Sequence, residues 1–294
     1  MRSFEYFAPD TLAEAIRLLG ERGGSARPLA GGTDLVVQMK EAATRFPYPA
    51  RVVSLGRISE LAGIDFAAGQ GLRIGSGATM TDIAESAAVR EHYPALAEGA
   101  GVVGSYQTMN MATLGGNLCN AAPSADTAPS LLTYEAQAVI VGPGGRRTQP
   151  LGEFFTGPGK TTLAPDELLA QVHVPAPQLG TGSAYQRHTP RKQMDIAVVG
   201  VAALLALGDG GHITRARIAL GAVAPTPVRA SHAESLLEGQ AATDDTFARA
   251  AEAAAGECSP ISDTRGSAEF RRHLVRVMTQ RMLATAAARA KGAA

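Results

Sequence analysis

The chain reads as an α+β protein of two domains, residues 1–176 and 177–294, and three features of the sequence predict it. The first is a break in composition, where Pro175-Ala-Pro177 is followed by Gly180-Thr-Gly182, a stretch rich in helix and strand breakers. The second is the order of elements beyond the break: strand-like runs come first and alanine-rich helical runs follow, the segregated order of an α+β unit. The third is a pair of glycine segments before the break, Leu29-Ala-Gly-Gly-Thr-Asp34 and Ala112-Thr-Leu-Gly-Gly-Asn117. Each reads as a turn that brings backbone close to a ligand.

The elements follow in order. Thr11, with Glu14 three residues on, is a capping-box signature, and Leu12, Ala15, Ile16 and Leu19 then recur at helical spacing. Gly23-Gly24 ends that helix. Residues 27–30 form a short buried strand that delivers the first glycine segment, while 34–40 fits a helix or an extended segment. Residues 51–55 and 72–75 are strands. Thr81 caps a helix to about Arg90, and a second helical stretch from Pro94 to about Val103 leads into the second glycine segment. Residues 138–142 and 168–174 are strand-like, separated by a loop carrying Gly157 and Gly159. Beyond the break, 195–207 and 212–220 pair as a hairpin across Gly208-Asp-Gly-Gly211. Helices over 230–238, 243–257 and 266–290 complete the chain. In the last, Phe270, Leu274, Val277 and Met278 form an apolar stripe for the domain's own sheet, amid Arg271, Arg272, Arg276 and Arg281. The tail, 284–294, reads as a fraying helix end.

Paired glycines admit positive φ and let a ligand approach where a Cβ would stand. Successive amides in such turns make a concave anion site. Two such segments about eighty residues apart suit a diphosphate held from two sides. Neither carries the G-x-G-x-x-G dinucleotide fingerprint or a Walker loop, so a different cofactor scaffold is implied. The amides of residues 30–34 and the Thr33 hydroxyl form the first grip, and Thr113, Gly116 and Asn117 the second.

Composition excludes several classes. With 27 basic and 27 acidic residues and no basic block, the chain lacks the electrostatic footprint of a nucleic-acid binder. No apolar run approaches the ~18 residues a membrane span needs, the longest being 196–207. The N-terminus has no hydrophobic signal segment, so a cytoplasmic location is expected. Two cysteines, Cys119 and Cys258, cannot supply the four ligands of an iron–sulfur cluster. In a reducing compartment a disulfide between them is disfavoured, and Cys119, directly behind the second glycine segment, reads as a small buried hydrophobe or else as a neighbour of the ligand. The histidines show no metal-ligand spacing.

Five motifs stand in order along the chain, beginning with F-x-Y-F-A-P-x-T-L-x-E-A from Phe4, A-G-G-T-D-L from Ala30, and T-L-G-G-N-L from Thr113 with P-S-A-D ending at Asp126. R-x-x-x-D-I-A-V-V-G follows from Arg191, and G-S-A-E-F-R-R-H-L from Gly266. Together they resemble the flavin-binding medium subunit of the molybdenum hydroxylases, the family of xanthine dehydrogenase, carbon monoxide dehydrogenase and 4-hydroxybenzoyl-CoA reductase. The resemblance implies an N-terminal two-part FAD-binding domain of the vanillyl-alcohol oxidase (PCMH-like) type. A C-terminal domain of a small antiparallel sheet with helices would follow, serving subunit docking.

It also implies one non-covalent FAD, wrapped by Leu29, Ala30, Gly31, Gly32, Thr33 and Asp34 and met from the other side by Thr113, Gly116 and Asn117. Asn120 and Leu169 carry over as further cofactor contacts. Asp126 would be awkward against a phosphate and suits ribose hydroxyls or a helix cap. Arg187 stands where the family usually has Lys beside the flavin; a cation there would favour the anionic reduced ring. For Arg191 and Asp195, a salt bridge is at least as good a reading.

The implied role is electron transfer. Substrate is oxidised at a molybdenum cofactor in a large subunit, and electrons cross 2Fe-2S clusters in a small subunit to this FAD. They leave for NAD, a quinone, oxygen or a carrier protein, in an assembly expected to be a dimer of heterotrimers. No residue of this chain needs to act as an acid–base catalyst. The lack of cluster ligands argues against the benzoyl-CoA reductase branch, and Gly-Gly-Thr-Asp tilts the substrate toward N-heterocycles or aldehydes. Two other readings stand beside this one. A stand-alone flavin oxidase would often tether its flavin through His and line a pocket with aromatics. No His lies in either glycine segment and aromatics are 5%. A nucleotide-binding regulatory protein would have no redox role.

Overall fold

The computed structural model describes residues 2–41 and 47–292. The chain opens with β1 (Glu5–Phe7), α1 (Leu12–Gly20), β2 (Ala26–Leu29), α2 (Leu35–Lys40) and β3 (Arg51–Ser54). The strands form a parallel sheet in the order β1-β3-β2. Thr11 caps α1 by accepting from the Glu14 amide, while Glu14 itself turns to Arg17. α1 buries Leu12, Ala15, Ile16, Leu18 and Leu19 against Val53, Ile58 and Leu61. The segment that fitted helix or strand is the helix α2.

A second unit begins with β4 (Ile64–Ala67) and β5 (Gly71–Gly75) and continues through helices α3 (Met80–Glu85), α4 (Ala87–His92), α5 (Pro94–Ala100), α6 (Tyr106–Met109), α7 (Leu114–Asn120) and α8 (Thr127–Thr133). Strands β6 (Gln137–Gly142), β7 (Gly145–Pro150), β8 (Phe155–Gly157), β9 (Lys160–Thr161) and β10 (Leu168–Val174) close it. An antiparallel sheet results, ordered β4-β5-β10-β6-β7. Two expectations change here. The predicted helix from Thr81 starts at Met80 instead, because Thr79 and Asp82 cap it reciprocally, and it breaks at Ser86, which caps α4. The second glycine segment is not a turn but the first turn of α7.

The last part comprises β11 (Thr181–His188), β12 (Val199–Leu207), β13 (Ile213–Gly221), β14 (Val228–Arg229), α9 (Ser231–Ser235), α10 (Asp244–Glu257) and α11 (Ala268–Ala290). β11 to β14 form one antiparallel sheet in sequence order. β11 falls where glycines suggested a linker. Gly182 is a contact glycine there: a Cβ would lie 2.1 Å from the Ala286 carbonyl oxygen, so α11 rests directly on the strand. The strand predicted from 195 begins only at Val199. Before it, Asp195 accepts from the amides of Arg191 and Ile196 and closes a loop around Met194.

This sheet is covered on both faces. One carries α9, α10 and α11, with Val201, Leu205, Ile218, Leu220, Phe247 and Leu283 in one cluster. The other presents Tyr185, Ala202, Leu204 and Ala219 to the core of the second unit. α8, buried from Thr127 to Thr133, lies between them. Glu135, just after α8, accepts from Arg215, Arg217 and Arg229 and ties the two parts electrostatically.

The seam of α11 also differs from the predicted stripe. Phe270 is 41% exposed, and the buried line runs Arg271, Val275, Met278, Met282, Leu283, Ala286. Arg271 is buried because it donates to the carbonyls of Val198 and Ala222 and pairs with Asp263 at 2.7 Å. The tail does not fray over its described length. It is helical to Ala290, with Ala286 and Ala287 buried and Arg289 bound to Glu98; residues 293–294 lie outside the described residues.

Candidate cofactor site

β2 ends at Leu29 and releases the chain into the first glycine segment, after which α2 begins at Leu35. Gly32 holds φ +75, the left-handed region that favours glycine. Among the described residues, no hydrogen bond is donated by the backbone amides of Ala30, Gly31, Gly32 or Thr33. These residues are half-buried, and their amides lead into the first turn of a helix. A run of unspent donors at such a place is an anion cradle. Asp34 occupies the N-cap position of α2 without a side-chain cap bond.

The second segment is spent differently. Thr113 caps α7 by accepting from the Gly116 amide at 3.1 Å. The Leu114 and Gly115 amides donate to the carbonyls of Ala78 and Ser76, and the Asn117 amide to Thr113. The expected second amide nest is therefore already satisfied within the protein. Its remaining donors are side chains: the Thr113 hydroxyl still has its proton to give, and Asn117 receives Thr127 on Oδ1 while its amide nitrogen stays available. Gly115 serves packing, since a Cβ there would lie 2.7 Å from Ser76 Cβ.

The two segments touch. A Cβ on Gly31 would stand 1.8 Å from the Met111 carbonyl oxygen and 3.1 Å from Ala112 Cα. Gly31 is thus the contact through which the first cradle is seated on the chain entering α7. Asn120 ends α7, half-buried. Leu169 lies on β10 with its side chain in the core, 3% exposed, beside the bulge between Leu169 and Gln171. It can offer a ligand backbone rather than side chain.

Asp126 and Arg187, predicted separately, meet. Arg187 Nη1 donates to Asp126 Oδ2 and the Tyr185 hydroxyl to Oδ1, each at 2.7 Å. The Arg187 and Asp126 side chains are only 6% and 8% exposed. Asp126 occupies the N-cap position of α8 but makes no side-chain cap bond, so the capping role falls away. Burial pushes its carboxyl up to about 6, against the pull of Arg187 and Tyr185. Burial likewise pushes the Tyr185 phenol well up. Arg187 Nη2 is buried without an acceptor, so the cluster is built one acceptor short. Arg187 also lines a cavity of about 770 Å³ with Gly101, Val102 and Lys192.

Tyr185 was missed by sequence reasoning. It lies two residues before Arg187, a spacing that puts both on one strand face, but that signal is invisible until 181–188 is read as a strand. Arg191 and Asp195 make the anticipated ion pair at 3.5 Å, with Arg191 exposed and the Asp195 side chain largely covered. Cys119 packs against the core, burial pushing its thiol up to about 12, and both cysteines are free. Among the described residues no cluster of His, Cys, Asp and Glu could hold a metal ion, and no helix is long and apolar enough to cross a membrane.

Comparison with known proteins matches residues 2–177 to the FAD binding domain in molybdopterin dehydrogenase. Residues 184–286 match the CO dehydrogenase flavoprotein C-terminal domain. The xanthine dehydrogenase FAD-binding subunit of Escherichia coli O157:H7 is 39% identical over 98% of this chain and 97% of its own. The carbon monoxide dehydrogenase medium chain of Hydrogenophaga pseudoflava is 37% identical over 97% of this chain and 98% of its own. Among solved structures, carbon monoxide dehydrogenase from the same organism superposes with a TM-score of 0.92 at 38% identity, covering 98% of both chains. Quinoline 2-oxidoreductase from Pseudomonas putida 86 gives 0.90 at 32% identity, covering 99% of this chain and 98% of that one.

Proposed function

This chain belongs to the family of FAD-binding subunits of molybdenum-dependent dehydrogenases, and from that premise we propose that it is the electron-transfer subunit of a multi-subunit hydroxylase. In this reading electrons arrive from the 2Fe-2S clusters of a small subunit, after a large subunit has oxidised an N-heterocycle or aldehyde at its molybdenum cofactor. They leave to NAD, a quinone or oxygen, and the assembly is a dimer of heterotrimers. Residues 1–176 are the FAD-binding domain, of the two-part PCMH-like type, and 177–294 the docking domain. The parallel three-stranded unit followed by a separate antiparallel sheet supports the two-part assignment.

The observation that carries the cofactor assignment is the unspent row of amides at residues 30–33. With Leu29 and Asp34 at its ends, this row would hold the diphosphate. Thr113 and Asn117 would add side-chain donors from α7, with Gly116 and Asn120 lining the same face. Asp126 and Arg187 would meet the cofactor as a pair, and Leu169 through its backbone. Bound FAD supplies the reversible two-electron and one-electron chemistry. The protein's part is to seat the diphosphate, exclude water and fix the charge beside the ring.

The purified chain with its co-purifying partners tests this. One flavin per chain, released to the supernatant by acid, and a partner with iron–sulfur absorbance are expected. Flavin that stays in the acid pellet would contradict non-covalent binding. A colourless preparation that takes up no added FAD would favour the regulatory alternative.

A further inference from the structure

We propose that Tyr185 is a positioning residue of the flavin site: its hydroxyl holds one oxygen of Asp126 so that the other stays on Arg187, and the pair presents a fixed charge to the bound cofactor. This rests on the reading above, that Asp126 and Arg187 belong to that site. Tyr185 and Arg187 stand on one face of β11 and reach the two oxygens of a single carboxylate at 2.7 Å each. The neighbouring strand leaves room for the phenol. Gly200 pairs with Arg187 in register, and a Cβ at Gly200 would lie 2.8 Å from the Tyr185 hydroxyl oxygen.

Of the other charged or titratable groups, His188, Arg191 and Lys192 line the same cavity as Arg187, together with Glu98. Glu98 of α5 pairs with Arg289 of α11 at 2.6 Å, and its second oxygen accepts from the Tyr185 amide at 2.7 Å. On the Asp126 side of the contact, Asn117 and Thr127 are neutral and bonded to each other. Asp126 is therefore governed by Arg187 and Tyr185. A hydrogen bond to a carboxylate favours its charged form. Removing the hydroxyl would raise a carboxyl that burial has already pushed up to about 6, bringing its protonation toward neutral pH. A protonated Asp126 would leave Arg187 without its counter-charge and free to turn.

The test is flavin retention in the purified holo-complex. Samples are held between about pH 5 and pH 8 and desalted, and the retained flavin per chain is measured by fluorescence after acid extraction. Wild-type retention is expected to fall as the pH drops through the Asp126 transition. Tyr185→Phe keeps the ring and removes only the hydroxyl; its midpoint should move up by about half to one pH unit. Gly200→Ala, which displaces the same hydroxyl, should move it the same way, and Asp126→Asn should abolish the transition. Profiles that superimpose on wild type, or that fall uniformly with an unmoved midpoint as loosened packing would cause, overturn the proposal. A wild-type complex holding no flavin at neutral pH overturns the functional reading beneath it.

Discussion

The two glycine segments look alike in sequence and are used in opposite ways. In Leu29-Ala-Gly-Gly-Thr-Asp34 the backbone is left unspent: four successive residues, 30–33, donate no amide hydrogen bond among the described residues. In Ala112-Thr-Leu-Gly-Gly-Asn117 every amide from Leu114 to Asn117 is committed, to Ala78, Ser76 and Thr113. One segment keeps its amides available, as the proposed anion receptor requires; the other is a wedge that starts a helix and supports the first. Glycine serves the first by admitting positive φ at Gly32 and the second by removing bulk at Gly115. A shared motif therefore does not imply a shared role.

The largest effect should come from breaking the contact between them. Gly31→Ala would place a methyl 1.8 Å from the Met111 carbonyl oxygen and 2.6 Å from its carbon. Both are backbone atoms, so no rotamer change relieves the clash, and the segments must part. A destabilisation of about 3 kcal/mol or more is expected, with loss of most bound flavin. Thermal unfolding and flavin content per chain check this. A variant normal in both would show that the cradle does not depend on the wedge.

A smaller and more selective loss is expected from Gly32→Ala. Left-handed backbone costs an alanine about 1–2 kcal/mol, and the new methyl meets only the side-chain ends of Leu29 and Val36, at 3.1 and 3.2 Å. The fold should survive with a modestly lowered melting temperature. The strain falls on the loop proposed to hold the diphosphate, so flavin occupancy should drop several-fold. Unchanged occupancy would reduce this segment to a connector as well.

The same contrast explains what could be read in advance. The strand at 27–30, the helix from Leu12 and the hairpin at 208–211 were legible because local pattern and tertiary use agree there. α7 was not, since Gly115 and Gly116 oppose helix propensity, and Gly115 is there because Ser76 lies against the helix. β11 was hidden for a like reason, Gly182 being a contact with Ala286 rather than a linker. In α11 the periodicity was legible but its phase was not. Arg271 is drawn into the seam by the carbonyls of Val198 and Ala222, and Phe270 is left outside against His188. Of the candidate site, motif resemblance nominates individual residues. The pairing of Asp126 with Arg187 and Tyr185 was not legible, because it joins parts of the chain 61 and 59 residues apart.

The smallest effect sharpens the contrast on the second segment. Thr113 has one oxygen and two tasks: its lone pair receives the Gly116 amide, while its proton is free for a ligand. Thr113→Ala removes both, and loss of the cap should cost about 1 kcal/mol of stability. Loss of a donor to the diphosphate should weaken FAD binding by roughly fivefold. Thr113→Ser keeps the oxygen and should restore both. The two readouts separate the roles. If the melting temperature falls in Thr113→Ala while the FAD dissociation constant stays put, α7 is only the wedge, and the diphosphate is held from one side. If both move together and the serine variant returns them, the second segment grips through its side chain where the first grips through its backbone.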